Sequence, residues 1–360
     1  MKPKLRFKEF SDEWCETTLG ETTTFKQGIQ VDVDKQFSKP FDNSVRFIRI
    51  VDYTQNTKDI RYISKPANAN YVDEHDVVLV RYGATAGFVG HGIKGVIANN
   101  MFTVTPNSNI NKDFLYTILK QDKIYNKLNS SNGSSAMPAL NFGSVSILKF
   151  SYPSIDEQNK LTNLINLLDK KIELQSKKIE DLKLFKMSTL DKYFNKDTCK
   201  EKALLKKYCS CLTGKSKADK VDINGNYYIM DMGTVNSDGN ILKTKPTFCN
   251  LDLLSYGDLV MPKDDIGGGL IIGKTGFIDE DNKYVLGDHV YLLKVNDINS
   301  LFLHYQINSK YINKQLKRKV TGSAQLGLKS DNILNQEIYI YSEEEQKKIA
   351  NIFKLIDRKI

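Results

Sequence analysis

From Leu161 to Leu182 the apolar positions advance by alternating steps of four and three: Leu161, Ile165, Leu168, Ile172, then Gln175, Ile179 and Leu182. This is the heptad rhythm of a helix that lies along a seam with another helix. Ser154 stands before Ile155-Asp156-Glu157-Gln158, so the pattern predicts a capping box with Ser154 as N-cap and Glu157 closing it. A helix over 156–194 would span roughly 58 Å at about 1.5 Å per residue. The device returns 188 residues downstream. Ser342 and Glu345 repeat the capping box, and Ile349, Phe353, Ile356 and Ile360 repeat the apolar rhythm. The expected helix-pairing positions are therefore Leu161, Ile165, Leu168, Ile172, Ile179, Leu182, Ile349, Phe353, Ile356 and Ile360.

The segments between these helices show a different period. Short β-type runs broken by turn residues occur at 45–51, 77–82, 101–105 and 145–152, with a helical stretch over 112–128. Runs at 227–230, 259–261, 291–295 and 338–341, with a helical stretch over 300–316, repeat that plan. Ser135-Ala136-Met137-Pro138-Ala139-Leu140 also lies over Ser323-Ala324-Gln325-Leu326-Gly327-Leu328 at the same offset. A repeat this long is no solenoid unit; it is a duplicated domain with its helix. The expected fold is α+β: two copies of one mixed module, separated by long coiled-coil helices packed antiparallel. The expected divisions are 1–152, the first module; 153–196, the first helix; 197–341, the second module; and 342–360, the second helix.

Composition narrows the function. With 40% of its 360 residues apolar the chain can bury real cores. No apolar run approaches the length that spans a bilayer, and the basic start lacks the apolar stretch of a signal peptide, so a cytoplasmic location is expected. Five cysteines form no CxxC pair, which suits reduced thiols, and four scattered histidines suggest no metal site. The formal charge is +9. Residues 46–150 hold 12 Lys/Arg against 7 Asp/Glu, and residues 199–338 hold 19 against 16. That excess favours a polyanionic partner such as nucleic acid.

No catalytic constellation stands out. Gly268-Gly269-Leu270-Ile271-Ile272-Gly273-Lys274-Thr275 has the letters of a phosphate-cradling loop. That mechanism needs a helix after Thr275, whereas Gly276-Phe277-Ile278-Asp279 reads as strand and turn. The first copy has Gly83, Gly87 and Gly90 where the second has Gly269, Gly273 and Gly276, but Phe88-Val89 in place of Lys274-Thr275. Turn glycines explain the shared letters better.

Nucleic-acid contacts fit the charge. Lys314, Lys317, Arg318 and Lys319 lead into a loop with Ser323 and Gln325; the first copy offers Lys127 and then Ser134 and Ser135. Cations suit phosphates, while amides and hydroxyls suit base edges. Arg46, Arg49, Arg61, Arg81 and Tyr82 complete the candidates, arginine being the better bidentate partner for guanine. A solvated charged loop would have the same composition.

The chain resembles the specificity subunit of type I restriction-modification systems. The resemblance covers nearly all of the sequence and rests on the opening 3–14, Gly257-Asp258-Leu259-Val260, the Gly273-Lys274-Thr275-Gly276 turn, Gly322-Ser323-Ala324-Gln325, and the twice-written Glu157-Gln158 and Glu345-Gln346. It implies two target-recognition domains, each reading half of a bipartite double-stranded DNA site, with antiparallel helices as spacer and platform. Two modification subunits carrying S-adenosylmethionine would methylate adenine N6, and restriction subunits would add ATP- and Mg-dependent translocation and cleavage. The chain itself would bind no cofactor or metal. One departure is the second helix, which stops at Ile360, the equivalent of Ile172. About 20 further residues are expected from the first copy, so Leu161, Ile165, Leu168 and Ile172 are expected to lack part of their cover. The competing readings are a free-standing DNA-binding regulator or scaffold, and a P-loop enzyme.

Overall fold

A computed structural model describes residues 6–55, 57–130, 139–197, 200–322 and 325–360. The chain divides into two compact units, Met1–Ile172 and Glu173–Ile360.

In the first unit an antiparallel sheet runs Thr23–Gln27, Met101–Pro106, Val77–Val80, Val89–Gly90. A second sheet runs Arg61–Ser64, Ser44–Ile48, Gly95–Ile97, Tyr71–Val72, with its central pair parallel. Successive side chains of a strand point to opposite faces. Val77 and Leu79 accordingly enter one core with Phe102, Val104, Phe114 and Leu115, whereas Val78 and Val80 enter another with Phe47, Ile48 and Met101. A strand buried on both faces needs the continuous apolar run Val77-Val78-Leu79-Val80 rather than an alternating one.

The second unit repeats this. Its antiparallel sheet runs Cys209–Thr213, Val290–Val295, Leu259–Pro262, Gly276–Phe277, and Tyr227–Met230 pairs parallel with Tyr284–Leu286. Leu259 and Met261 face one core with Phe302 and Leu303, while Val260 faces the other with Met230 and Leu286. Each unit also ties its beginning to its end: Cys15–Thr18 pairs with Lys149–Tyr152, and Lys202–Leu204 pairs with Glu337–Tyr339.

Several sequence expectations are corrected. The helical stretch over 112–128 is two helices, α1 (Lys112–Leu119) and α2 (Asp122–Ser130). The stretch over 300–316 is likewise two. Ser309 adopts extended backbone, ending Ser300–Asn308 and capping Lys310–Lys317. The strand expected over 45–51 ends at Ile48 and gives way to the helical turn Ile50–Thr54. The strand expected over 145–152 begins only at Lys149, after a turn of helix capped by Asn141.

The 39-residue helix α3 spans Ile155–Tyr193. In its first turn the buried Glu157 carboxylate makes a long-range contact, accepting both Arg6 Nε (2.7 Å) and a terminal Arg6 nitrogen (2.6 Å). In the second unit, helices α4 (Ser300–Asn308) and α5 (Lys310–Lys317) precede α6 (Glu343–Asp357), which keeps the Ser342–Glu345 capping box. Among the described residues no helix is long and apolar enough to cross a membrane.

Candidate nucleic-acid interface

Each module fixes its long helix through one buried glutamine. Gln158 accepts the Asn111 backbone N–H (2.9 Å) and donates to the Pro153 carbonyl (2.9 Å), while the Asn111 side chain caps α1 by accepting from Asp113 and Phe114. In the second unit Gln346 accepts the Asn299 N–H (2.8 Å) and donates to the Tyr341 carbonyl (2.8 Å), and Asn299 caps α4 at the Phe302 N–H. One amide thus locks a helix start to the cap of the module helix beside it. A buried amide is stabilising only when its polar atoms find partners, and here they do.

The candidate arginines of the first unit are joined rather than independent. Arg46 lies 3.7 Å from Asp52, and Arg49 Nε bonds Asp52 at 3.2 Å. Arg49 and Arg61 then share Asp59, at 3.2 and 3.0 Å. The Arg61 hydrogen bond, with that from Arg49, holds the Asp59 carboxyl below its usual range. Two aspartates therefore spread three guanidinium groups along one edge, which leaves each fewer free N–H groups for a base than the sequence suggested. Arg81 is a strut: it donates to Gln27 Oε1 (2.6 Å) and to the Leu140 carbonyl (3.2 Å), and lies over the rings of Tyr82 and Phe142. Tyr82 itself is exposed and pairs with Ala139.

Lys127 is exposed on α2. Ser134, Ser135 and Ser323 lie outside the described residues. Gln325, Lys314 and Arg318 are exposed. Lys319 is committed elsewhere, its ammonium donating to the Asn332 carbonyl (3.2 Å), the Asn335 carbonyl (3.4 Å) and Gln336 Oε1 (3.0 Å). Burial lowers its pKa. It braces the 332–336 turn, so the expectation of a free phosphate contact is corrected there.

The Gly-Lys-Thr segment is no phosphate loop. Strand Gly276–Phe277 follows Thr275, and Lys274 donates to the Asn308 carbonyl at 3.1 Å. Gly83 and Gly87 share left-handed backbone (φ 90° and 89°) with their counterparts Gly269 and Gly273 (83° and 73°), as turn glycines do.

The histidines show what linear spacing hides. His75 Nδ1 and His91 Nε2 both approach Asp113 Oδ1, at 3.0 and 3.1 Å. Asp231, Asp288 and His289 form a second group whose ligand atoms lie close enough for a cation, although Lys245 already bonds Asp231. Shared protons account for the first group as well as a metal would.

The helix-pairing positions separate into two kinds. Ile349, Phe353 and Ile356 are buried in the second unit's core, with the Phe353 ring 5.1 Å from Tyr305 and 6.3 Å from Tyr193. Lys186 meets Asp357 at 2.5 Å, so α6 runs antiparallel to the end of α3. Leu161 packs on the first unit's core, and Ile165, Ile179 and Leu182 are half-buried. Leu168 and Ile172 are 51% and 64% exposed. Ile360 is exposed too.

The comparisons with known proteins decide the family. The type I restriction modification DNA specificity domain matches residues 11–184 and again 209–360. The chain belongs to this family. A curated relative, the type I restriction enzyme MjaVIII specificity subunit of Methanocaldococcus jannaschii, is 26% identical over 379 residues, covering 97% of this chain and 87% of the relative. The fold matches the S subunit of a type I restriction-modification system from M. genitalium, with a TM-score of 0.70 at 15% identity over 100% of this chain and 93% of that one. A second match, at TM-score 0.54 and 14% identity over 96% and 90% of the two chains, comes from work on complex assembly and conformational transition of a type I system. The specificity subunit carries the DNA-recognition role and is not itself catalytic.

Proposed function

We propose that each of the two units reads one half of a bipartite double-stranded DNA target, and that α3 and α6 serve as spacer and as platform for two modification subunits. Restriction subunits join that complex. S-adenosylmethionine belongs to the modification subunits, and ATP with Mg to the restriction subunits, in the cytoplasm. The observation that carries this reading is the duplication itself: two modules of one fold, each fixed to its helix by the same glutamine, Gln158 and Gln346. Exposed apolar Leu168, Ile172, Leu184 and Phe185 on α3 supply surface for a protein partner. The test is to express the chain with its modification subunit and map N6-methyladenine in the host genome. Methylation at one split motif supports the reading. A stable DNA-bound chain that recruits no modification subunit favours a free-standing DNA-binding regulator.

A further inference from the structure

The second unit contains a cavity of about 600 Å³ between the end of α3, α5 and the loops around Asp238 and Lys274. Six lysines and three aspartates line it, along with apolar Met187, Leu190 and Leu270. Such a volume suits a small organic molecule.

Two polar groups make it a built site. Asn313 is 6% exposed, lines the cavity, and its Nδ2 has no hydrogen-bond partner. A buried donor without an acceptor is unfavourable, so an acceptor from outside would be well received. Lys274 faces the same space from the turn before Gly276–Phe277. That turn is clamped: the Asn308 side chain accepts the Thr275 N–H and donates to the Thr275 carbonyl, both at 2.9 Å, and Thr275 Oγ1 meets the buried His304 Nδ1 at 3.2 Å. Asp357 is the counter-ion of Lys186, while Lys183, Lys310, Lys314 and Lys317 also line the space, and Lys274 adds its ammonium beside the Asn308 carbonyl to which it donates.

These residues distinguish the second module from the first. In the register that sets Asn299 over Asn111, His304, Asn308 and Asn313 stand over Tyr116, Lys120 and Tyr125, and in the separate register that sets Gly87 over Gly273, Lys274 stands over Phe88. In the first copy Phe88 packs against the core and Tyr116 stacks on His91. The scaffold shared by both modules therefore does not require the polar set.

We propose that this cavity binds the phosphate group of a mononucleotide-sized ligand, with Lys274 and Asn313 holding the phosphate and Met187 and Leu190 forming an apolar wall. Burial, reinforced by Lys317 and Lys186, pushes the Lys274 pKa down to about 8, and a bound anion would relieve that strain. The inference stands apart from the DNA-specificity reading, since binding is read on this chain without modification subunits and duplex DNA enters only as a competitor.

The test is isothermal titration of the full chain with AMP, with Lys274→Met, Asn313→Leu and Lys317→Met variants checked by circular dichroism. Saturable one-to-one binding is expected, weakened tenfold or more in each folded variant and unchanged by saturating duplex DNA. Lys317→Met, at the mouth, keeps the test open where an inner variant fails to fold. Absence of saturable binding, or binding indifferent to the variants, would overturn the proposal. So would displacement of AMP by duplex, which would assign these lysines to the DNA backbone.

Discussion

Gln346 holds the backbone N–H of Asn299 at 2.8 Å across 47 residues of sequence, and Asn299 in turn caps α4. The same bond links Gln158 to Asn111. Replacing either glutamine by leucine takes the partner from a half-buried N–H and from a buried carbonyl, Pro153 or Tyr341. A loss of about 1–3 kcal/mol is expected for each, measured by urea unfolding. Because the two bonds lie in different units, the double variant is expected to lose the sum of the single losses.

Phe353 and Leu168 test the two kinds of seam residue. Phe353→Ala empties a core position and is expected to lose about 3–5 kcal/mol. Leu168→Asp and Ile172→Asp alter exposed side chains and are expected to stay within about 0.5 kcal/mol of the parent. On the platform reading they nonetheless weaken pull-down of the modification subunit. Normal pull-down with both aspartates present would remove these residues from the interface.

Lys319 and Arg318 are adjacent but predict opposite outcomes. Lys319→Met removes a brace on the 332–336 turn, so it is expected to lower the melting temperature and leave the salt dependence of DNA binding unchanged. Arg318→Ala is expected to keep the melting temperature and to reduce the slope of log affinity against log salt by about 1. Binding isotherms of the assembled complex at several salt concentrations distinguish them.

Lys274 gives a pH signature. Its folded pKa of about 8 lies below the ordinary lysine value of 10.5, so between those values the unfolded chain keeps a proton that the folded chain has released. Stability contributed here therefore rises with pH across that window. The facing groups are Lys186 on α3, Lys317 on α5 and Asp238 on the neighbouring loop. Lys274→Met is expected to flatten the rise, read from urea midpoints at pH 7, 8, 9 and 10.

The duplication, the α+β class and most strands were legible because they rest on local period: Val77–Val80, Leu259–Pro262 and the heptad of α3 are patterns of neighbours. Helix breaks were harder, since Ser309 ends one helix and caps the next without a glycine or proline to announce it. Partners far apart in sequence were not legible. Nothing near Glu157 names Arg6, nothing near Asp113 names His75 and His91, and Lys319 reads as a free cation until the 332–336 carbonyls fold over it. The cavity was hidden for the same reason: Lys274, Asn308 and Asn313 meet only when the turn before Gly276 packs on α4 and α5.

The central claim, one half-target per unit, is tested most directly by exchanging residues 209–341 for the matching segment of a relative with a different target and mapping N6-methyladenine in the host. The account predicts that one half of the split motif changes while the other half and the spacing persist. A change in both halves, or in neither, would contradict it.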